Sequence, residues 1–139
     1  MRSVEKVLSG GWEAPRACPR YDCLLLGVNF PRDVVCARID QRLQARIDAG
    51  MLDEVAGLRA AGVSDAFLDR LGLEYRYILW YLTGKIPTLE GLKDELGRAI
   101  KRFAKRQVVW FKKDKDVLWL DMEGDFLNQA VRAVETFLC

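Results

Sequence analysis

Between Arg98 and Lys113 the 139-residue chain carries seven bases, Arg98, Lys101, Arg102, Lys105, Arg106, Lys112 and Lys113, and no acid. On a helix Arg98, Lys101, Arg102 and Lys105 share one stripe. Such a stripe suits a phosphate backbone, or it is simply a solvated helix face. A second set, Arg38, Arg42 and Arg46, recurs at one-turn spacing with Asp40 and Asp48 close by in sequence. It reads as a ladder of surface ion pairs, each worth ~0–1 kcal/mol. It also reads as an anion site, because a guanidinium fork matches phosphate oxygens. Tyr75, Tyr77, Trp80 and Tyr81 crowd one short segment. Rings so placed serve core packing or, alternatively, the stacking of bases.

Other chemistries are excluded by what the chain lacks. It has no histidine, which removes Ser-His and Cys-His catalysis and His-containing metal sites. Cys18, Cys23, Cys36 and Cys139 form no C-x-x-C pair and read as free thiols in a reducing compartment. Gly84-Lys85 is the only Gly-Lys pair, but Leu79 stands where a phosphate-binding loop needs glycine, and Ile86 where it needs Ser or Thr. The acidic pairs Asp53-Glu54 and Asp94-Glu95 fall on polar helix faces. No catalytic or metal-binding residue is therefore assigned in this chain.

The elements that must position the basic residues follow from periodicity. Arg2–Leu8 suits one or two helical turns, and Trp12–Arg20, with Pro15 and Pro19, a loop. Cys23–Phe30 is a short apolar run that reads as a buried strand. Pro31 suits the first position of a helix running to Gly50, whose inner face is Val34, Val35, Ile39, Leu43 and Ile47. A helix from Met51 to Ala61 turns Leu52, Val55 and Leu58 inward and ends at Gly62. Ser64 and Asp65 start a short turn of helix through Leu71, Gly72 breaks it, and Glu74–Thr83 is an aromatic-rich helix. Pro87 and Thr88 open the longest helix, about Leu89 to Lys113. Its buried face is Leu92, Leu96, Ile100 and Phe103, continued by Trp110. Val117–Leu120 reads as a second strand, and Asp125 caps a final helix with Val131, Val134 and Leu138 on its apolar side. The fold class is mainly α with two short strands, in a single domain over residues 1–139. Two strands so far apart in sequence either belong to a larger sheet or pair beneath the helices.

Half the residues are apolar and 30% are charged, which is the composition of a folded domain. The net charge is only +2, so it is distribution that matters: outside Arg98–Lys113 there are 15 bases against 20 acids. No apolar run approaches the ~20 residues that span a bilayer, and the first residues lack a signal-peptide core. These features predict a soluble, cytoplasmic chain with no membrane partner.

Phe103-Ala104-Lys105-Arg106-Gln107-Val108-Val109-Trp110-Phe111 resembles the "YAKRQ-x-TWF" segment of the tRNA dimethylallyltransferases (tRNA isopentenyltransferases). Arg38-Ile39-Asp40-Gln41-Arg42, followed by Gly50-Met51-Leu52-Asp53-Glu54-Val55, is similar to that family's "RI-x-x-R … GL-x-x-EV". Gly72-Leu73-Glu74-Tyr75 sits where the family has "GY" and a polar pair. Tyr81-Leu82-Thr83-Gly84 resembles "YL-x-G", Val117-Leu118-Trp119-Leu120-Asp121 resembles "V-x-WLD", and Arg2-Ser3-Val4-Glu5 resembles "RALE". Each motif is weak alone; together they keep one order from Arg2 to about Asp121.

The resemblance implies the C-terminal part of an α/β P-loop transferase fold. The family's phosphate-binding loop and catalytic Asp lie in an N-terminal half that this sequence does not match. The family moves a dimethylallyl group from dimethylallyl diphosphate to N6 of the adenosine 3′ of the tRNA anticodon, assisted by Mg2+. The implied partners are the tRNA anticodon stem-loop, dimethylallyl diphosphate and the missing N-terminal half. Arg42 falls where the family contacts the diphosphate, with Arg38 one turn away as support. Arg98, Lys101, Arg102, Lys105 and Arg106 fall on the segment that touches tRNA. Three positions depart: Ile100-Lys101 replaces the family's "TR", where Lys101 keeps charge but loses the fork, and Val109 replaces a Thr. The chain alone is expected to be inactive. A free-standing RNA-binding remnant and a helical interaction module without catalysis are the alternatives.

Overall fold

The computed structural model describes residues 21–139. The expectations for Arg2–Leu8, Trp12–Arg20 and Cys18 lie outside the described residues. Strand β1 (Leu25–Asn29) leads into helix α1 (Arg32–Asp48), and α2 (Met51–Ala60) follows. Next come the short α3 (Asp65–Leu71), α4 (Leu73–Leu82) and the long α5 (Leu89–Phe111). The chain then forms strand β2 (Val117–Asp121) and ends in α6 (Phe126–Leu138).

The boundaries have local causes. Thr88 caps α5 by accepting a hydrogen bond from the Gly91 N–H at 3.0 Å, and Ser64 caps α3 through the Phe67 N–H at 3.3 Å. Gly50, at φ 92°, takes the left-handed conformation that lets α2 start with only two residues between it and the end of α1. Two starts differ from expectation. Pro31 precedes the first helical residue of α1 rather than filling that position, because its extended backbone (ψ 143°) lies outside the helix. Asp125 holds the capping position of α6 but caps no backbone N–H; its carboxylate accepts 2.8 Å hydrogen bonds from the Asn128 side-chain amide instead.

Helices α1 to α5 build the core. Leu43 and Ile47 of α1, Met51 and Val55 of α2, Leu68 of α3, Ile78 and Leu79 of α4, Ile86, and Leu92 and Leu96 of α5 form one buried cluster. Tyr75, Tyr77, Trp80 and Tyr81 pack against it half-buried. The Tyr77 and Trp80 rings lie 4.8 Å apart, and the Lys85 ammonium sits 3.5 Å from the Trp80 ring centre. Packing therefore accounts for these aromatics.

Polar braces tie the helical body together. The Tyr75 hydroxyl donates to Glu54 at 2.5 Å, joining α4 to α2. Arg76 donates to the Asp69 carbonyl at 2.7 Å and to its carboxylate at 3.2 Å, spanning the break at Gly72. Arg59 meets Asp65 at 2.7 Å, which holds the Asp65 carboxyl below its ordinary range.

The two strands pair with each other, in parallel, from Leu25 opposite Val117 to Asn29 opposite Asp121. The helices cover them only in part. Helix α6 packs on β2 and Leu120 is buried, but Leu25, Leu26, Val28 and Leu118 are exposed. Parallel strands are ordinarily covered on both faces, so this sheet has open apolar surface. The inward faces expected for the later helices are corrected in the same way. Phe103 is 44% and Trp110 66% exposed, and Val131, Val134 and Leu138 of α6 are exposed too. Helical spacing gathers apolar residues on a face; it does not supply the neighbour that covers it.

Candidate functional site

Helix α5 is one rod with two environments. Its first three turns bury Leu92, Leu96 and Ala99 against the core. Past Ile100 the rod extends beyond the core, and the acid-free run of bases rides on this extension. Arg98, Arg102 and Lys105 are exposed and make no hydrogen bond or ion pair among the described residues. The Arg106 guanidinium lies 5.7 Å from the Phe103 ring centre. Lys101 differs from its neighbours: its ammonium donates to Asp40 of α1 at 2.6 Å. That pair ties α5 to α1, and it takes Lys101 out of the group of unpaired cations.

Arg102, Lys105, Arg106, Val109, Trp110 and Lys113 form one open face along this extension. Trp110 stands exposed on this face with its indole in edge contact with Phe111, the ring centres 4.9 Å apart. Cations that track a backbone, beside an exposed ring on which a base can stack, make a surface able to hold single-stranded nucleic acid. Trp110 and Lys113 are the contributors that sequence reasoning missed as site residues. Lys113 was visible in the sequence as the end of the acid-free run, whereas Trp110 had no such signal, because the apolar periodicity of the helix pointed it inward.

Arg38, Arg42 and Arg46 of α1 separate into three situations. Arg38 lies with its guanidinium 4.1 Å from the Phe30 ring centre, a cation–π contact at the end of β1. Arg46 faces Glu74 of α4 at 3.8 Å. Arg42 is exposed and has no hydrogen bond or ion pair among the described residues. No ladder with Asp40 and Asp48 forms. Asp40 is taken by Lys101, and Asp48 accepts from Gln44 at 2.7 Å. Arg42 and Arg46 rim a small cleft of about 50 Å³ with Ile39, Leu43, Glu74 and Ile100. Arg38 is not part of it. The structure therefore brings Arg42 and Arg46 together and sets Arg38 apart.

Beside this cleft, a larger cavity of about 420 Å³ opens where β1 meets α1 and α5. Val35, Ile39, Ala104, Val108 and Val109 give it an apolar lining, and Lys105 and Lys112 stand at it. Cys23, Cys36 and Cys139 are free thiols. Among the described residues no three His, Cys, Asp or Glu side chains gather where they could hold a metal ion, so these residues do not fit a magnesium site of that kind. No described helix is long and apolar enough to cross a membrane.

Comparison with known proteins gives this geometry a context. The family model described as IPP transferase matches residues 2–114. A tRNA dimethylallyltransferase of Treponema pallidum is 44% identical over 101 residues, covering 73% of this chain and 32% of the relative. One from Geotalea uraniireducens is 36% identical over 134 residues, covering 94% of this chain and 44% of the relative. Among solved structures, the full-length tRNA isopentenylpyrophosphate transferase of Bacillus halodurans matches 99% of this chain with a TM-score of 0.74 at 29% identity. The chain spans 42% of that protein, and less than half the length of the curated relatives cited here.

Proposed function

This chain belongs to the IPP transferase family and corresponds to its C-terminal part; from that premise we propose that it supplies the RNA-facing and diphosphate-facing side of a tRNA dimethylallyltransferase. In the reaction, the N6 lone pair of the adenosine 3′ of the anticodon attacks C1 of the dimethylallyl group. The bond from C1 to the diphosphate oxygen breaks, its electron pair leaves with the diphosphate, and N6 gives up a proton to a base. The burden is to stabilise charge on the leaving diphosphate and to hold the adenosine out of its stack.

Arg42 suits the first task. It is exposed at a cleft and no described carboxylate occupies it, so its fork is open to phosphoryl oxygens. Arg98, Arg102, Lys105 and Arg106 suit the second, by gripping the tRNA anticodon stem-loop while its target base is withdrawn. Lys101 contributes indirectly, because its bond to Asp40 holds the RNA-facing helix against the arginine-bearing one. The phosphate-binding loop, the base and the magnesium site belong to parts of the enzyme other than the described residues. The working compartment proposed is the cytoplasm, where tRNA is modified.

The single observation that carries this reading is the acid-free basic face of α5 with Trp110 exposed on it, on a chain whose whole described fold matches tRNA isopentenyltransferases. It is tested by titrating the 139-residue chain with an anticodon stem-loop at several salt concentrations. Binding should weaken steeply with salt, with a log–log slope of ~0.7–0.9 for each phosphate neutralised. Arg102→Ala and Lys105→Ala should each lower that slope by about one. A flat salt response overturns the RNA-facing role. Prenyl transfer by the pure chain should stay at background, and turnover above background would show that the chain is a complete catalyst.

A further inference from the structure

The Arg42 cleft contains one feature that diphosphate binding alone does not require, an acid. Glu74, in the first turn of α4, faces Arg46 across the cleft at 3.8 Å, with no hydrogen bond between them. Both side chains keep about a third of their surface, 39% for Arg46 and 31% for Glu74. The pair is therefore long, wet and readily exchanged. The N-terminal turn of a helix favours a carboxylate, so Glu74 is held at the cleft independently of Arg46. Arg42 and Arg46 lie one turn apart, ~5–6 Å between Cβ atoms, within reach of adjoining phosphoryl groups of one anion.

We propose that Glu74 is the resident counter-ion of this cleft, holding Arg46 until a diphosphate displaces it, and that Arg46 then joins Arg42 as a second guanidinium on the anion. The proposal rests on the reading of Arg42 given above and adds a selectivity element. An incoming anion must outcompete a carboxylate already in place. A diphosphate brings more charge and more acceptor oxygens than Glu74 and succeeds. A single inorganic phosphate can be met by Arg42 alone and gains little from Arg46. The exchange makes and breaks no covalent bond; Arg46 swaps one set of oxygens for another, and Glu74 returns to water.

The test is calorimetric titration of the full 139-residue chain with inorganic pyrophosphate and, separately, inorganic phosphate. Glu74→Gln keeps the shape and removes the charge. It should tighten pyrophosphate, which reaches Arg46, and change phosphate less, so the discrimination between them widens. Arg46→Ala should weaken pyrophosphate about tenfold, the loss of one charge-assisted contact. The double variant should behave as Arg46→Ala does, because the carboxylate acts through Arg46. Circular dichroism of each variant confirms that the fold is kept. If Arg42→Ala abolishes pyrophosphate binding while the Arg46 and Glu74 variants match the parent, the role of Arg42 stands and this inference is overturned. If neither the parent nor Glu74→Gln binds pyrophosphate, the Arg42 reading falls as well.

Discussion

Leu92 and Leu96 near the start of α5 have no exposed surface, whereas Val108, Val109, Trp110 and Phe111 in its last turns are all exposed. The same contrast divides the described residues. Around α1 to α4 and the first half of α5, apolar residues close on one another and every buried polar side-chain atom has a partner. Around β1, β2, α6 and the end of α5, apolar residues gather without closing. A large exposed apolar surface beside bases marks a surface prepared for something else. One stretch of this chain closes its own core; the other leaves its apolar residues in solvent.

The contrast breaks first at the core. Leu96→Ala should cost ~2–5 kcal/mol, the loss of a fully buried side chain plus its cavity, read from the urea unfolding midpoint. Trp110→Ala, the larger truncation, should stay within ~0.5 kcal/mol because its ring stands in solvent. Equal losses from the two would show that the end of α5 is buried in solution.

A smaller effect sharpens the picture of the sheet. A Cβ on Gly27 would come within 2.7 Å of Val117 Cγ1 and 3.0 Å of the Trp119 ring. Gly27→Val should therefore cost ~1–3 kcal/mol through overpacking, with the change in near-ultraviolet dichroism centred on Trp119. An unaltered protein would mean that the parallel pairing is not kept in solution.

The smallest expected effect is a pH dependence within the helical body. The hydrogen bond to Glu54, helped by burial, raises the Tyr75 hydroxyl above its ordinary value near 10. A raised folded value means that the folded state holds this proton more tightly. The stabilisation is complete below pH ~10 and is lost as pH rises through the folded value. Tyr75→Phe should flatten that alkaline slope of the unfolding midpoint and leave the neutral region little changed. An identical slope in the variant would assign the effect elsewhere.

Much of the helical body was legible in residue order because its signals are local. The caps at Ser64 and Thr88, the glycine between α1 and α2 and the spacing of Leu43 with Ile47 each act within a turn or two. The basic run on α5 was legible for the same reason. The partners of its charges were not. Asp40 sits 61 positions from Lys101, and Glu74 reaches Arg46 from another helix. Phe103, Trp110 and Val131 were misread because periodicity reports which residues share a face and is silent on whether another element covers it.

By itself the amino-acid order determined the identity and spans of the helices, the acid-free stripe and the resemblance to a tRNA-modifying family. These depend on short-range geometry and on residue type. Only the tertiary structure decided that Lys101 is held by Asp40 while Arg42 stays unpaired, that Arg46 and Glu74 share the Arg42 cleft, and that the strands pair in parallel with open faces. Electrostatic partnership and burial depend on distances through space, and those exist only once α1, α4 and α5 have packed.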